Sequence, residues 1–297
     1  MKLPAVRGSK AVETAIPAVG ARAGTRRPPL ARWLLHAWGG LVGLFLLAPL
    51  VIVVVNSLGV EQYVIFPPAG LSLAWYGRIP TYYLDGAIYS LLLAGAAVLT
   101  AAVLAIPAAI ALTRGSLPGR AAVDALLRSP IQIPLLVSGV AFLQLYVLVY
   151  DGTQLALMNS FVGLWIAHTI VVSPYILVAV VARLARYDER LDEAAYGLGA
   201  SRWQTFWRVT FPLIRAASAA GMFFGFLMSF DNVPLTIFLI QSGQTTLPLA
   251  LFFDTERDLS RVQYAVGTLV MVVSTALLLL VMRRLGILPT EESVVRA

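Results

Sequence analysis

The chain has no cysteine and only two histidines, and of its 22 cationic residues only Lys2 and Lys10 are lysines. Without thiols, neither disulfides nor thiolate metal sites are available. His36 and His168 lie in separate hydrophobic stretches and form no ligand-spaced pair, so no metal site is expected. A phosphate-binding P-loop needs a Gly-rich turn ending in Lys-Ser or Lys-Thr, and both lysines lie near the N-terminus, away from any such turn. No nucleotide site is expected in this chain, and no Ser, His and acid constellation or pair of intramembrane carboxylates points to an enzyme acting on a solute. Charge is also scarce: 12% of the residues are Asp, Glu, Lys or Arg, against 59% hydrophobic. A soluble 297-residue domain has no use for so much apolar surface. Lipid is the expected solvent.

A helix crossing the hydrocarbon core needs about 20 mostly apolar residues. Stretches free of Asp, Glu, Lys and Arg run over residues 34–60, 86–113, 129–150, 152–182 and 262–282. A sixth, over 216–239, is broken only by Asp231 and is expected to be one spanning helix carrying an ionisable residue. The expectation is an all-α integral membrane protein with six transmembrane helices. Of the 22 Lys and Arg residues, 19 fall in the two tails and the loops on the N-terminal side; only Arg78, Arg257 and Arg261 fall on the other. Cytoplasmic segments carry the excess of Lys and Arg, so both termini are expected inside. The net charge of +7 follows from this bias and does not imply nucleic acid. Residues 1–30 are rich in Ala, Gly, Pro and Arg, with no apolar run, and read as a disordered cytoplasmic tail rather than a signal peptide. Residues 31–288 form the membrane domain and 289–297 a second cytoplasmic tail. Trp75, Tyr76, Tyr82 and Tyr83, after Phe66, Pro67 and Pro68, suit the outer interface, where such rings anchor a chain; a substrate or partner contact is the alternative.

The inner loop over residues 183–215 has a design of its own. Good helix formers over 188–196 end at Gly197, Leu198 and Gly199, a natural helix stop. Ser201 and Gln204 fit a capping box, so a second helix should start at Arg202, with Pro212 marking the bend into the fifth span. Such a unit presents Ala194, Ala195, Tyr196, Trp203, Phe206 and Trp207 to a partner, or lies on lipid headgroups as an amphipathic segment.

The loop also resembles a known element. Glu193-Ala194-Ala195, three residues, Gly199, nine residues, then Val209-Thr210-Phe211-Pro212 is similar to the EAA loop of ABC importer permeases, whose pattern ends in I-x-L-P. Val209 and Phe211 depart from it and stay apolar. The resemblance extends over roughly residues 40–285 and is nearest to polyamine (spermidine/putrescine) permeases. Phe66-Pro67-Pro68-Ala69-Gly70, Pro118-Gly119-Arg120, Ala167-His168-Thr169, Ser229-Phe230-Asp231-Asn232 and Thr246-Leu247-Pro248-Leu249 carry it. It implies the type I importer fold, a loop that docks on a cytoplasmic ABC ATPase dimer, a second permease subunit and a periplasmic solute-binding protein. It implies ATP and Mg bound by that ATPase and none in this chain, in the bacterial inner membrane. The same subfamily takes in permeases for phosphonates, opines, thiamine and ferric iron.

An acid inside a span is costly unless it meets a partner or water, which makes Asp231 a candidate contact on the substrate pathway. Asn232 beside it and Pro234 beyond it support another reading, in which Asp231 caps a broken helix. His168 is expected to hydrogen-bond between helices rather than relay protons. A self-contained secondary transporter is a rival reading, but it calls for intramembrane charges for ion coupling, and only Asp231 is at hand.

Overall fold

A computed structural model of the chain describes residues 29–240 and 243–284. The tails expected over 1–30 and 289–297 lie outside these residues, except that α1 (Pro29–Ser57) takes in the last two residues of the first. The regular structure of the described residues is helical, with one isolated bridge between Gly59 and Leu71. Among the described residues, six helical stretches are long and apolar enough to cross a membrane: Trp33–Ser57, Thr81–Arg114, Leu135–Thr153, Phe161–Leu184, Arg202–Phe230 and Arg261–Leu280. The chain divides into two compact units at Val51. The first holds most of α1, whose described side chains are largely exposed, as a helix bathed in lipid or covered by another chain requires.

In the second unit the core is built by α2 (Thr81–Arg114), α5 (Phe161–Leu184) and α8 (Phe211–Phe230). On α2, Ala97, Ala101, Ala105 and Ala109 recur every fourth residue and are buried; on α5, Val172, Ile176, Val180 and Leu184 do the same. Four-residue spacing keeps each set on one helix face. Lipid tails are as apolar as leucine, so spans associate through close packing, which small side chains permit. α8 supplies the third seam with Ile214, Ser218, Gly221 and Gly225, all buried. A Cβ on Gly221 would stand 2.8 Å from the Ile176 Cα, so α8 and α5 touch backbone to backbone there.

The connections depart from the apolar ruler in three places. The stretch over 129–150 starts with a short 3-10 turn (Ser129–Ile131), and α4 (Leu135–Thr153) begins only after Pro134. The stretch over 152–182 opens with the last two residues of α4 and becomes helical again only at Phe161, where the Ser160 hydroxyl accepts the Gly163 N–H (3.1 Å); Gln154 and Asn159 before it have positive φ. Apolarity measured lipid exposure in both, not helicity. The third departure corrects the fifth span, expected as one helix over 216–239. α8 stops at Phe230, and a separate short helix, α9 (Val233–Leu239), follows. α10 (Leu247–Arg257) and the last span, α11 (Arg261–Arg284), complete the unit, and α3 (Arg120–Arg128) lies between the second and third spans.

Candidate functional site

The loop after α5 folds as two short helices, α6 (Arg190–Gly197) and α7 (Arg202–Thr205). Gly199 turns the chain between them at φ +86°, a region that side chains with a Cβ avoid. The expected capping box is present: the Gln204 N–H donates to Ser201 Oγ (3.3 Å) and the Ser201 N–H donates to Gln204 Oε1 (2.9 Å). α7 runs on through a π-helical turn (Phe206–Thr210), in which Phe211 N–H reaches back to the Phe206 carbonyl, directly into α8. Pro212 therefore does not mark a sharp bend. It sits in the first turn of α8, just past the widened turn, where its missing N–H is absorbed by the changed bonding pattern.

The motif residues divide by exposure. Glu193, Ala194, Gly199 and Pro212 are exposed, and Ala195, Val209 and Phe211 are half-buried. Tyr196, Trp203 and Trp207 are also exposed, and Leu198 at the tip is 90% exposed. Trp203, Phe206, Trp207 and Phe211 stack in a chain of ring contacts 5.0 to 6.2 Å apart, which stiffens the continuation into α8.

The residue before the motif, Asp192, is the one that fastens it. Asp192 is buried and forms a salt bridge with Arg114, the last residue of α2. Its Oδ1 accepts from Tyr187 Oη (2.6 Å) and Thr210 Oγ1 (3.1 Å), and the Arg114 guanidinium lies 4.5 Å over the Tyr187 ring. Burial first, then the bond to Asp192, pushes the Tyr187 hydroxyl up to about 12, so it stays a donor. Arg183 at the end of α5 donates to the Leu213 carbonyl on α8 (3.0 Å). The loop is thus clamped to three spans at once. Nothing in the sequence pattern singled out Asp192 or Arg114, since the partners are far apart in the chain; a charged residue next to the motif was the only signal.

At the other end of the molecule the chain breaks between α8 and α9. Asp231 ends α8 and is exposed; the side chain that takes the amide freed by the break is Asn232, whose Oδ1 accepts from the Leu235 N–H (3.1 Å). Asp231 is therefore not the cap. It lines a cleft of about 410 Å³ with Phe230, Pro248, Phe252 and Glu256. Behind the break, fully buried His168 on α5 places Nδ1 2.8 Å from Ser229 Oγ and Nε2 3.2 Å from Thr236 Oγ1. One ring thus ties α5 to both halves of the broken helix, the interhelical role expected of it. Tyr82 and Tyr83, expected as interfacial rings, both donate to Asp254 Oδ2, at 2.6 and 2.7 Å.

A second clamp holds the segment after α1. Arg261, 0% exposed, donates to the carbonyls of Asn56 (2.8 Å) and Glu61 (2.6 Å) and to Glu61 Oε2 (2.8 Å). Trp75 Nε1 donates to the Gly59 carbonyl (2.8 Å). Hydrogen bonds from its own backbone N–H and that of Ala69, more than the Arg261 charge, hold the Glu61 carboxyl below its ordinary value. Among the described residues no group of three His, Asp or Glu side chains is disposed to hold a metal ion.

Comparison with known proteins places this geometry. Residues 103–286 match the profile of the family described as binding-protein-dependent transport system inner membrane component. The putrescine transport system permease protein PotI of Escherichia coli K12 is 28% identical over 230 residues, 76% of this chain and 82% of that protein. The spermidine/putrescine transport system permease protein PotC of Haemophilus influenzae is 30% identical over 250 residues, 84% of this chain and 95% of that one. A crystal structure of a bacterial ABC transporter involved in the import of the acidic polysaccharide alginate shares the fold, with a TM-score of 0.66 at 15% identity over 90% of this chain and 99% of that chain.

Proposed function

Because the chain belongs to the family of binding-protein-dependent transport system inner membrane components, and is the permease component of an ABC importer, we propose that its solute is a polyamine, putrescine or spermidine. Two relatives that carry polyamines in their names, each matched over most of its length, support this reading. The exposed carboxylate of Asp231, set in a cleft at the end away from the loop, suits an ammonium group as a pathway contact. Phosphonate, opine, thiamine and ferric iron are the alternative solutes of the same role.

The working arrangement follows from the charge bias and the loop. With 19 of 22 cationic residues on the N-terminal side, both termini and the loop over 183–215 face the cytoplasm. There Glu193, Ala194, Ala195, Gly199, Val209, Phe211 and Pro212 form the surface that meets an ABC ATPase dimer, which binds ATP and Mg. A second, homologous permease completes the pathway, and a periplasmic solute-binding protein delivers to the opposite face; the family's description as binding-protein-dependent supports the need for such a binding protein. The single observation that carries the coupling role is the Asp192 clamp, because it makes any push on α6 a push on α2, α5 and α8 together.

The test is uptake of labelled putrescine and spermidine by cells with and without this chain, all other subunits present. Loss of uptake without the chain is expected, and Asp231→Asn is expected to lower uptake with the complex still assembled. Polyamine uptake that does not depend on the chain would sink the substrate assignment.

A further inference from the structure

At the end of α2 remote from the loop, a cleft of about 380 Å³ opens between the helix and the segment leading into α10. Tyr82, Asp85 and Tyr89 line it from α2, and Gly243, Gln244 and Thr245 from the facing segment. Spacings of three and four residues put the two phenols and the carboxylate on one helix face. The walls are fixed. Gly86 lets the opposite backbone come close, since a Cβ there would stand 3.2 Å from Leu247 N, and the Leu247 N–H donates to Ser90 Oγ at 2.9 Å. Tyr89 is held edge-on to Phe161 with ring centroids 5.7 Å apart, and Tyr82 by its bond to Asp254.

The chemistry of the lining is specific. Asp85 is exposed, and no cationic side chain pairs with it among the described residues. One carboxylate is too little for a divalent cation, which takes six or more oxygens or several carboxylates, and it repels anions. A carboxylate between two aromatic rings, with the Gln244 amide opposite, matches an alkylammonium group: the charge meets Asp85, the methylenes and the positive head meet the phenol faces, and a remaining N–H meets the amide oxygen.

We propose that this cleft is an ammonium-binding station for the transported amine, with Asp85 as its anion and Tyr82 and Tyr89 as its aromatic walls. It is distinct from the Asp231 cleft, whose lining shares none of these residues. The station rests on the polyamine reading above and adds to it a specificity residue, Asp85, that neither the loop motif nor Asp231 supplies.

The test uses the complete transporter in liposomes with its binding protein, ATP and labelled putrescine. Asp85→Asn and Tyr89→Ala are each expected to raise KM by about three- to tenfold, with the maximal rate within about twofold, the scale of one partly solvated charge pair or one cation–π contact. Asp85→Glu and Tyr89→Phe are expected to restore the wild-type KM; the dependence of KM on charge at exposed Asp85 is the readout that a merely structural role would not produce. An unchanged KM in Asp85→Asn, with wild-type proteoliposomes taking up putrescine, overturns the station alone. Wild-type proteoliposomes that take up neither putrescine nor spermidine overturn the substrate reading, and the station with it.

Discussion

Asp192 and Glu193 are neighbours with opposite tasks. Glu193 points to solvent, where a partner can meet it, whereas Asp192 points into the protein and holds Arg114, Tyr187 and Thr210. Asp192→Ala leaves the Arg114 guanidinium, whose side chain is 21% exposed, without its counter-charge. Breaking a buried pair from one side costs about 3 kcal/mol. The expected result is a lower unfolding midpoint and ATP hydrolysis uncoupled from uptake, with the ATPase subunit still bound. Loss of the subunit in Asp192→Ala, or coupled uptake at wild-type rate, would contradict the division of labour. Glu61 is a case for pH. Its carboxyl titrates below the ordinary 4.5, so its stabilising contribution is fully present at neutral pH and is lost as the pH falls from 4.5 through the folded value. The wild-type unfolding midpoint should therefore drop more steeply in that acid range than that of Glu61→Gln; parallel curves would show that the carboxylate carries no such linkage.

At the scale of helices, six apolar runs announced six spans because a run of about 20 apolar residues reports lipid exposure directly. The two-helix loop was equally legible: Gly199 and the Ser201 to Gln204 capping box are local chemistry, and local chemistry is written in neighbouring residues. The break at 231–232 was not. Apolar residues continue on both sides of it, and what stabilises the gap is His168 from another helix, which no window along 216–239 contains. The π-helical turn was also hidden, because Pro212 is compatible with either a bend or a shifted bonding pattern. Helix packing gives a clean contrast between two glycines on one seam. Gly221→Ala places a methyl 2.8 Å from backbone, and should cost about 1–3 kcal/mol through forced separation of α5 and α8. Gly225→Ala meets side-chain carbon at 3.4 Å and the Val172 carbonyl oxygen at 3.7 Å, ordinary contact distances, and should be tolerated. Thermal unfolding in detergent separates them; equal midpoints would refute the close approach.

For the whole molecule, the absence of cysteine is an experimental asset, since any introduced thiol is unique. Leu198→Cys and Tyr63→Cys occupy exposed sites in the loop and in the segment after α1, at 90% and 74% exposure. In intact cells a membrane-impermeant maleimide should label Tyr63→Cys and spare Leu198→Cys, which should react only after permeabilisation. The reverse pattern would invert the topology. The fold class could be read ahead of the structure because lipid imposes length and charge rules on every span, and the role because the loop over 193–212 resembles an element of known permeases. The clefts could not, since their walls come from residues on α2, α8 and α10 that meet only in three dimensions.

α2 joins the two ends of this design. Its 34 residues make a rod of about 51 Å at 1.5 Å per residue, well beyond the hydrocarbon thickness of about 30 Å. Ala105 and Ala109, buried on either side of Pro107, keep it seated on α5 as one body. One tip holds the Asp192 clamp, and the other bears Asp85 and the tyrosines that grip Asp254. A rod of this length turning about its midpoint by about 10° carries each tip by about 4 Å, in opposite directions. Were α2 to pivot in this way, a stroke delivered at Arg114 would be answered at the far mouth by one of equal size and opposite sense, with no signal to relay in between.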